Sequence, residues 1–582
     1  MKSGIGVSVR TFGAIVGTAC AILAAVPVHS SADQTSEDTV LAAPSETDAF
    51  YGAYMGAKHA EIVADFSRAA DLLDQVLENR PDDPLLQRRG MLANLHAGRI
   101  ERAVDLARPQ IAVYPSEVDI AAITLAAAAM KRGDWERAVS ILEPERRIAL
   151  ARFSAPVIAA WAERGRDATD AAIERLAPLR AEKELPDLHD FHAGVIFLDA
   201  GRNEEADAIL SPHVENLESA TIGIVRAAAR AKLALGEKDA AEELLTSYNA
   251  LHEGVSLIEQ DLSELDETGK LTPLIDGPLA GAADALVNLG LQVRHQAPLI
   301  GLRYARLAVY LDQKNDLGRM IVAAILESFS RNDEAIAELR EIPADSHYGW
   351  DARMEIGDNL MQLKRDDEAI EHFEEMADER PDDIEALEQL GFLMRARDRF
   401  AEGTEYYDRA LDRVKTVEPR HWTLFYNRGI TLERTDRWEE AEEDLKKALE
   451  LNPDEPFVLN YLGYTWVDKG IHVEEGMDMI RKAVDQRRNN GFIVDSLGWA
   501  YYRLGQYDEA VVQLERAMQL RPENGVIADH LGDAYWRVGR RTEARYQWTH
   551  ALDLEDVDDD LREAIESKLK SGLDAVESAA KE

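Results

Sequence analysis

Residues 491–525 read GFIVDSLGWAYYRLGQYDEAVVQLERAMQLRPENG, and this stretch decides the fold. Gly498 and Ala510 stand twelve residues apart, one small residue in each half of the unit. Ala510, Leu514, Ala517 and Met518 follow i, i+4, i+7 and i+8, which lines them along one face of a helix. Working outward, the pair recurs. Gly357, Gly391, Gly429, Gly463, Gly498 and Gly532 are spaced by 34, 38, 34, 35 and 34 residues. Behind them lie Ala369, Gly403, Ala441, Gly476 (thirteen on rather than twelve), Ala510 and Ala544. The pattern predicts a helix–turn–helix unit whose two backbones approach too closely at these places for a larger side chain.

A 34-residue period with small residues at these two positions is the signature of the tetratricopeptide repeat. The fold expected is all-α, a superhelical solenoid of about fourteen helical hairpins with an irregular joint near 250–285. The N-terminal half keeps the period with a looser consensus: Ala57 with Ala69, Met91 with Ala103, Ala126 with Ala138, Ala160 with Ala172, Gly194 with Ala206, Ala228 with Ala240. The next candidate, Leu289 with Gly301, comes 61 residues after Ala228, and Ala323 with Ala335 restores the phase. Between them Gly254, Gly269, Pro273, Gly277, Pro278 and Gly281 crowd helix breakers into one stretch. The layout read from this is a degenerate array over 49–250, a joint over 251–282, a second array over 283–555, and a capping helix and tail over 556–582. Leu561, Ile565, Leu569 and Leu573 share one side of that cap, and the acidic run Asp556–Asp560 suits a helix N-terminus. Glu442 with Lys446 and Glu443 with Lys447 are i,i+4 pairs on a solvated face.

Composition narrows the function. The net charge of -43 excludes a phosphate-binding surface, so no nucleic acid is expected. The acidity either keeps a long array soluble or steers a basic partner. Cys20 is the sole cysteine, which leaves no disulfide and no thiolate metal site. Lys2 and Arg10 precede an uncharged run over 11–28, then Pro27 and the small residues Ser30 and Ala32. That order reads as a secretory signal peptide over 1–32, cleaved near Ala32, with an uncleaved anchor as the rival reading that Pro27 and the small-residue exit disfavour. Lipidation of Cys20 is disfavoured because Gly17 stands where a lipobox has a large aliphatic residue. Residues 33–48 read as a flexible polar tether.

No phosphate loop, zinc-protease motif or nucleophile elbow is present, so neither catalysis nor a cofactor, metal or small-molecule substrate is expected. His252, His347, His421 and His530 are scattered and read as packing or surface residues. His189 and His192 flank Asp190 at helical spacing, but two histidines alone do not make a metal site. The candidate site is the concave groove. In this repeat type, positions 2, 5, 9, 12 and 13 of the first helix face inward, with the glycine at position 8. That rule selects Tyr426 and Arg434, then Phe457, Asn460, Tyr464 and Asp468, then Phe492, Asp495, Trp499, Tyr502 and Arg503, then Asp529, Asp533, Trp536 and Arg537. Phe457 and Phe492 are expected to pack between repeats, and Trp499, Tyr502 and Trp536 to face the groove as binding anchors. The strings Asn460-Tyr461-Leu462-Gly463-Tyr464, Asp495-Ser496-Leu497-Gly498-Trp499 and Asp529-His530-Leu531-Gly532-Asp533 resemble a family of exported proteobacterial tetratricopeptide proteins. That resemblance implies a periplasmic adaptor for a carboxyl-terminal processing protease, with cell-wall hydrolases as its protein partners. The alternative is a scaffold for assembling a cell-envelope complex, in outer-membrane biogenesis or polysaccharide export.

Overall fold

A computed structural model describes residues 46–113, 117–143, 146–147, 150–181, 186–252, 255–554 and 556–579. The signal peptide, Cys20 and most of the expected tether lie outside the described residues. Helix Glu46–Ile62 takes up the last residues assigned to that tether. Among the described residues no helix is long and apolar enough to cross a membrane.

The described residues form thirty-one α-helices. Twenty-eight of them pair as fourteen hairpins at the positions the period marks, and helices Ser256–Thr268, Asp559–Ser571 and Leu573–Ala579 stand outside the pairing. The only strands among the described residues are two dipeptides, β1 (Glu117–Val118) and β2 (Arg146–Arg147), paired in parallel. The solenoid is otherwise helical throughout.

Thirteen of the fourteen hairpins turn on a residue with left-handed backbone; the hairpin of helices Gly277–Val293 and Pro298–Leu311 does not. Gly505 serves at φ 73° in the hairpin that opened the reading, and Lys364 and Asp436 do the same work at 58° and 61°. The thirteen-residue spacing of Gly463 and Gly476 is absorbed at such a turn, where both Gly470 and His472 have positive φ. At most turns followed by arginine, that residue stands at the N-cap of the second helix and binds a glutamate three residues on, as Arg399 does Glu402 and Arg437 does Glu440; Arg99, with Arg102 at that place, pairs with Asp71 instead. Lys446 pairs with Glu442 as expected, whereas Lys447 reaches forward to Glu450 instead of back to Glu443.

The glycines obey two packing rules rather than one. At Gly463 a Cβ would lie 2.7 Å from the carbonyl oxygen of Gly476, and the reverse distance is the same, so these backbones do touch. At Gly391 and Gly532 the obstacle is instead a ring from the second helix, Tyr407 at 2.6 Å and Trp548 at 2.4 Å. In the hairpin assigned to Leu289 the close crossing is between Gly290 and Gly301, one residue later, because there each Cβ would meet the other's carbonyl oxygen at 3.2 and 3.1 Å. Gly498 sits under Leu514, whose Cγ would be 2.6 Å from an added Cβ and whose backbone nitrogen 3.2 Å. Gly498→Leu is therefore expected to cost about 1–3 kcal/mol by overpacking, read as a lower first transition in thermal unfolding. An unchanged melting curve would show that Leu514 can move aside.

The chain divides into two compact units, one ending at Asn359 and one starting at Leu360. This boundary is not the one the breakers suggested, and the reason is visible inside the first unit. The joint holds a single helix, Ser256–Thr268, ended by Gly269 in left-handed conformation. Buried Asp261 on that helix accepts from Arg226 Nε at 2.7 Å and from Arg230 Nη2 at 2.9 Å, which ties it to helix Ile222–Ala234. The chain then folds back. Helix Gly277–Val293 packs on helix Ala151–Arg164, and helix Pro298–Leu311 on helices Pro84–His96 and Ile120–Lys131. All three receiving helices are the first helices of their hairpins. The returning pair therefore belongs to the N-terminal array, not to a new one beginning at 283.

The fold-back is tightly made. The Trp161 indole lies so close over Gly281 that a Cβ there would fall 2.1 Å from the ring. Buried Tyr304 shares a hydrogen bond of 3.2 Å with Ser154, and Tyr310 donates to Glu101 at 2.6 Å. Arg303 donates to His96 Nε2 at 2.8 Å. Burial, reinforced by Arg303, lowers the pKa of His96 to about 3, so the imidazole is neutral and free to accept that bond.

Candidate protein-binding surface

In a tetratricopeptide array the first helices of the hairpins line the inner face. In the first unit this face is covered at three of its hairpins by the chain's own helices Gly277–Val293 and Pro298–Leu311. A partner cannot use it without displacing those helices and uncovering the fully buried Trp161. The second unit is where the expected residues lie, and the structure sorts them into two sets.

The first set runs along the stack, from one hairpin to the next. Position 5 of each first helix bonds to the following hairpin: Asn460 Nδ2 donates to Ser496 Oγ at 3.2 Å, and Asp495 accepts from His530 Nδ1 at 3.0 Å. Asp529 accepts from Lys568 Nζ at 2.7 Å, on the capping helix. Position 13 forms a parallel ladder, with Arg503 Nη1 on Asp468 at 2.6 Å and Arg537 Nη1 on Asp574 at 2.9 Å. Asp533 is buried as well, held by Lys568 at 2.9 Å and by Trp548 Nε1 at 3.0 Å. Asp495, Asp529 and Asp533 are thus corrected from groove to contacts along the stack, Asp495 with the next hairpin and Asp529 and Asp533 with the cap. A carboxylate at this depth needs a cation or a donor, and the next hairpin or the cap supplies it.

The aromatic residues exchange places with the expectation. Trp499 stacks between Tyr502 at 4.6 Å and His530 at 3.9 Å between ring centroids. Tyr502 is 8% exposed, and its hydroxyl accepts from Arg537 Nε at 3.2 Å. Trp536 donates to Asp574 at 3.0 Å, lies 5.3 Å from the Trp548 ring, and is crossed by Arg541 at 3.7 Å. Trp499 and Tyr502 are inter-hairpin packing, and Trp536 packs within its own hairpin and against the terminal helix Leu573–Ala579. By contrast Phe457 is 42% exposed, Phe492 49% and Val526 40%, all at position 2 of successive first helices. Arg487 lies 5.9 Å over the Phe457 ring and Arg521 5.1 Å over that of Phe492, each from the end of the second helix in the same hairpin. The exposed apolar row is therefore Phe457, Phe492 and Val526, and two of its three members are the phenylalanines expected to pack inside.

The remaining candidates frame this row. Tyr464 is half-buried at position 9, its pKa raised by burial first and then by Asp468 and Asp495. Tyr426 packs edge-on to Tyr461 at 6.2 Å, and burial pushes its pKa up to about 12. Arg434 is exposed and lies 4.8 Å over Phe400. Asn460 Oδ1 is buried without a hydrogen-bond partner among the described residues, an acceptor three residues from Phe457.

The histidines singled out by spacing diverge. His189 bonds to Asp190 at 2.6 Å and accepts from Arg180 Nε at 3.1 Å, whereas His192 accepts from Trp161 Nε1 at 3.3 Å. Among the described residues no group of three or more His, Cys, Asp or Glu side chains is arranged to hold a metal ion. Lys568 escaped sequence reading, and so did the pairing of His530, expected as a packing or surface residue, with Asp495. The signal that could have found them is the row of acids at inner positions, each needing a positive partner about one repeat later.

Profiles of the tetratricopeptide repeat match residues 120–144, 320–384 and 382–454, and a TPR repeat profile matches 498–539. The TPR repeat-containing protein PA4667 of Pseudomonas aeruginosa is 28% identical over 167 residues, 27% of this chain and 26% of that protein. The chain thus spans about a quarter of the length of this relative. Among solved structures it is similar to the APC/C hetero-tetramer Cut9–Hcn1, at 14% identity over 90% of this chain and 96% of that one, with a TM-score of 0.39. It is also similar to TTC0263, a thermophilic TPR protein of Thermus thermophilus, at 22% identity over 32% of this chain and all of that one, with a TM-score of 0.29. The chain is a tetratricopeptide-repeat protein with a TPR-like solenoid fold. Repeats of this type build protein–protein interaction scaffolds and are generally non-catalytic.

Proposed function

We propose that the protein is exported through its N-terminal signal and acts in the periplasm as a non-catalytic adaptor. It brings protein substrates such as cell-wall hydrolases to a carboxyl-terminal processing protease. The resemblance of the strings around Gly463, Gly498 and Gly532 to such adaptors motivates the reading. The observation that carries the binding face is the exposed row Phe457, Phe492 and Val526. Single exposed apolar residues are ordinary on a protein surface; three at the same position of consecutive hairpins make a stripe. Neighbouring helices pack about 8–10 Å apart, roughly three residues of an extended chain. A partner segment with apolar side chains at every third residue fits the row.

The test is capture from an envelope extract by the mature protein, with mass spectrometry of what is retained. A processing protease together with peptidoglycan hydrolases supports the reading; export or outer-membrane assembly components would replace it with the envelope-scaffold alternative. The Phe457→Ala/Phe492→Ala variant is expected to keep its melting temperature, because both rings are exposed, and to lose about 2 kcal/mol or more of binding, roughly thirtyfold. Full retention of the partner by this variant would move the binding face off the row.

A further inference from the structure

Five ionisable side chains line up where the cap meets the last hairpin. Helix Gly491–Arg503 contributes Asp495, helix Gly525–Arg537 contributes Asp529, His530 and Asp533, and helix Asp559–Ser571 contributes Lys568. His530 bonds Asp495 at 3.0 Å, and Lys568 bridges Asp529 and Asp533 at 2.7 and 2.9 Å. All five are largely buried. Other groups facing the row add no mobile cation. Helix Arg541–Leu552 offers the Trp548 N–H to Asp533, and helix Pro456–Lys469 offers the Tyr464 phenol near Asp495. Arg503 and Arg537 on the same helices are engaged with Asp468 and Asp574. Three carboxylates thus share one permanent cation. Burying that excess negative charge is costly unless protons neutralise it.

We propose that Asp529, Lys568 and Asp533 form a proton-dependent latch that holds the C-terminal cap on the last hairpin and releases it as pH rises. When the cap is docked, burial and then the neighbouring Asp529 charge push the Asp533 carboxyl above the ordinary carboxylate range. Burial alone would lower His530, but Asp495 facing it holds the imidazole above its ordinary value. That pair joins two hairpins and stays together when the cap leaves. Undocking returns Asp529 and Asp533 to water, so the Asp533 carboxyl falls back and gives up its proton. A raised carboxyl binds its proton more tightly in the docked state, and that contribution is lost as pH rises through its docked value. Acidification through neutrality tightens the cap, and release parts Trp536 and Arg537 from Asp574 on the cap side.

Hydrogen exchange of the full chain at pH 6 and pH 8, corrected for intrinsic rates, reads the latch directly. Opening of helix Asp559–Ser571 is expected to rise by up to about tenfold per pH unit for each proton released, while helix Trp422–Glu433 changes little. Asp533→Asn should flatten that slope while keeping an acceptor for Trp548. Equal protection of the cap at both pH values overturns the latch, as does a wild-type slope in this variant. The wild-type measurement alone decides even if a variant folds poorly.

Discussion

Asp261→Ala is expected to destabilise the N-terminal unit by about 3–5 kcal/mol, the cost of leaving a buried charge without its partner. Asp261 is 2% exposed and accepts from both Arg226 and Arg230, so its removal strands two guanidinium groups at once. Arg230 is itself buried and additionally donates to the Thr272 carbonyl at 2.6 Å, which fixes the chain leaving the joint. The lone helix Ser256–Thr268 should detach first, since Asp261 and the apolar Ile258 and Leu265 are its buried side chains. Thermal unfolding and limited proteolysis across 256–276 read this loss. Burial alone would push the Asp261 carboxyl up, but the two arginines more than offset it and hold it below the ordinary value. Its contribution is therefore present above the unfolded carboxylate value and is lost as pH falls through the folded one. Acid loosens the joint while it tightens the cap. A variant that melts and resists protease like the wild type would show that the arginine pair does not hold the joint.

What was legible in the sequence is what repeats. Small residues at a fixed spacing report close helix crossings, and crossings recur in every hairpin, so Gly357 through Gly532 reveal the solenoid without any long-range information. The fold-back leaves no such trace. Tyr310 meets Glu101 across 209 positions and Arg303 meets His96 across 207, each contact made once. Gly281, read as a helix breaker, is there to admit the Trp161 ring. The candidate site was legible only halfway. The position rule chose backbone sites correctly placed on the first helices, but it could not say whether a side chain turns outward or along the stack. That choice depends on what the next hairpin offers: Ser496 to Asn460, His530 to Asp495, Lys568 to Asp529. Where no such polar partner is offered, as for Phe457 and Phe492, the side chain remains at the surface.

Lys568→Met should cost about 3–5 kcal/mol locally, for the same reason as at Asp261 but at the other end of the chain. The lysine is 9% exposed along its side chain and is the one cation bridging Asp529 and Asp533. Methionine fills the space and leaves two buried carboxylates facing each other. Repeat arrays couple mainly to nearest neighbours, so the loss should appear as early melting of the cap and last hairpin while the preceding hairpins hold. Replacing a buried ionic cluster whole is far less damaging than removing one member. The triple variant Lys568→Met/Asp529→Leu/Asp533→Asn should therefore recover much of the lost stability. Asparagine is chosen at 533 because Trp548 Nε1 donates there at 3.0 Å and would otherwise be left unpaired. Differential scanning calorimetry of the three proteins decides the matter. If the single variant melts like the wild type, the lysine bridge contributes nothing; if the triple variant is no better than the single, the damage lies in packing rather than in stranded charge.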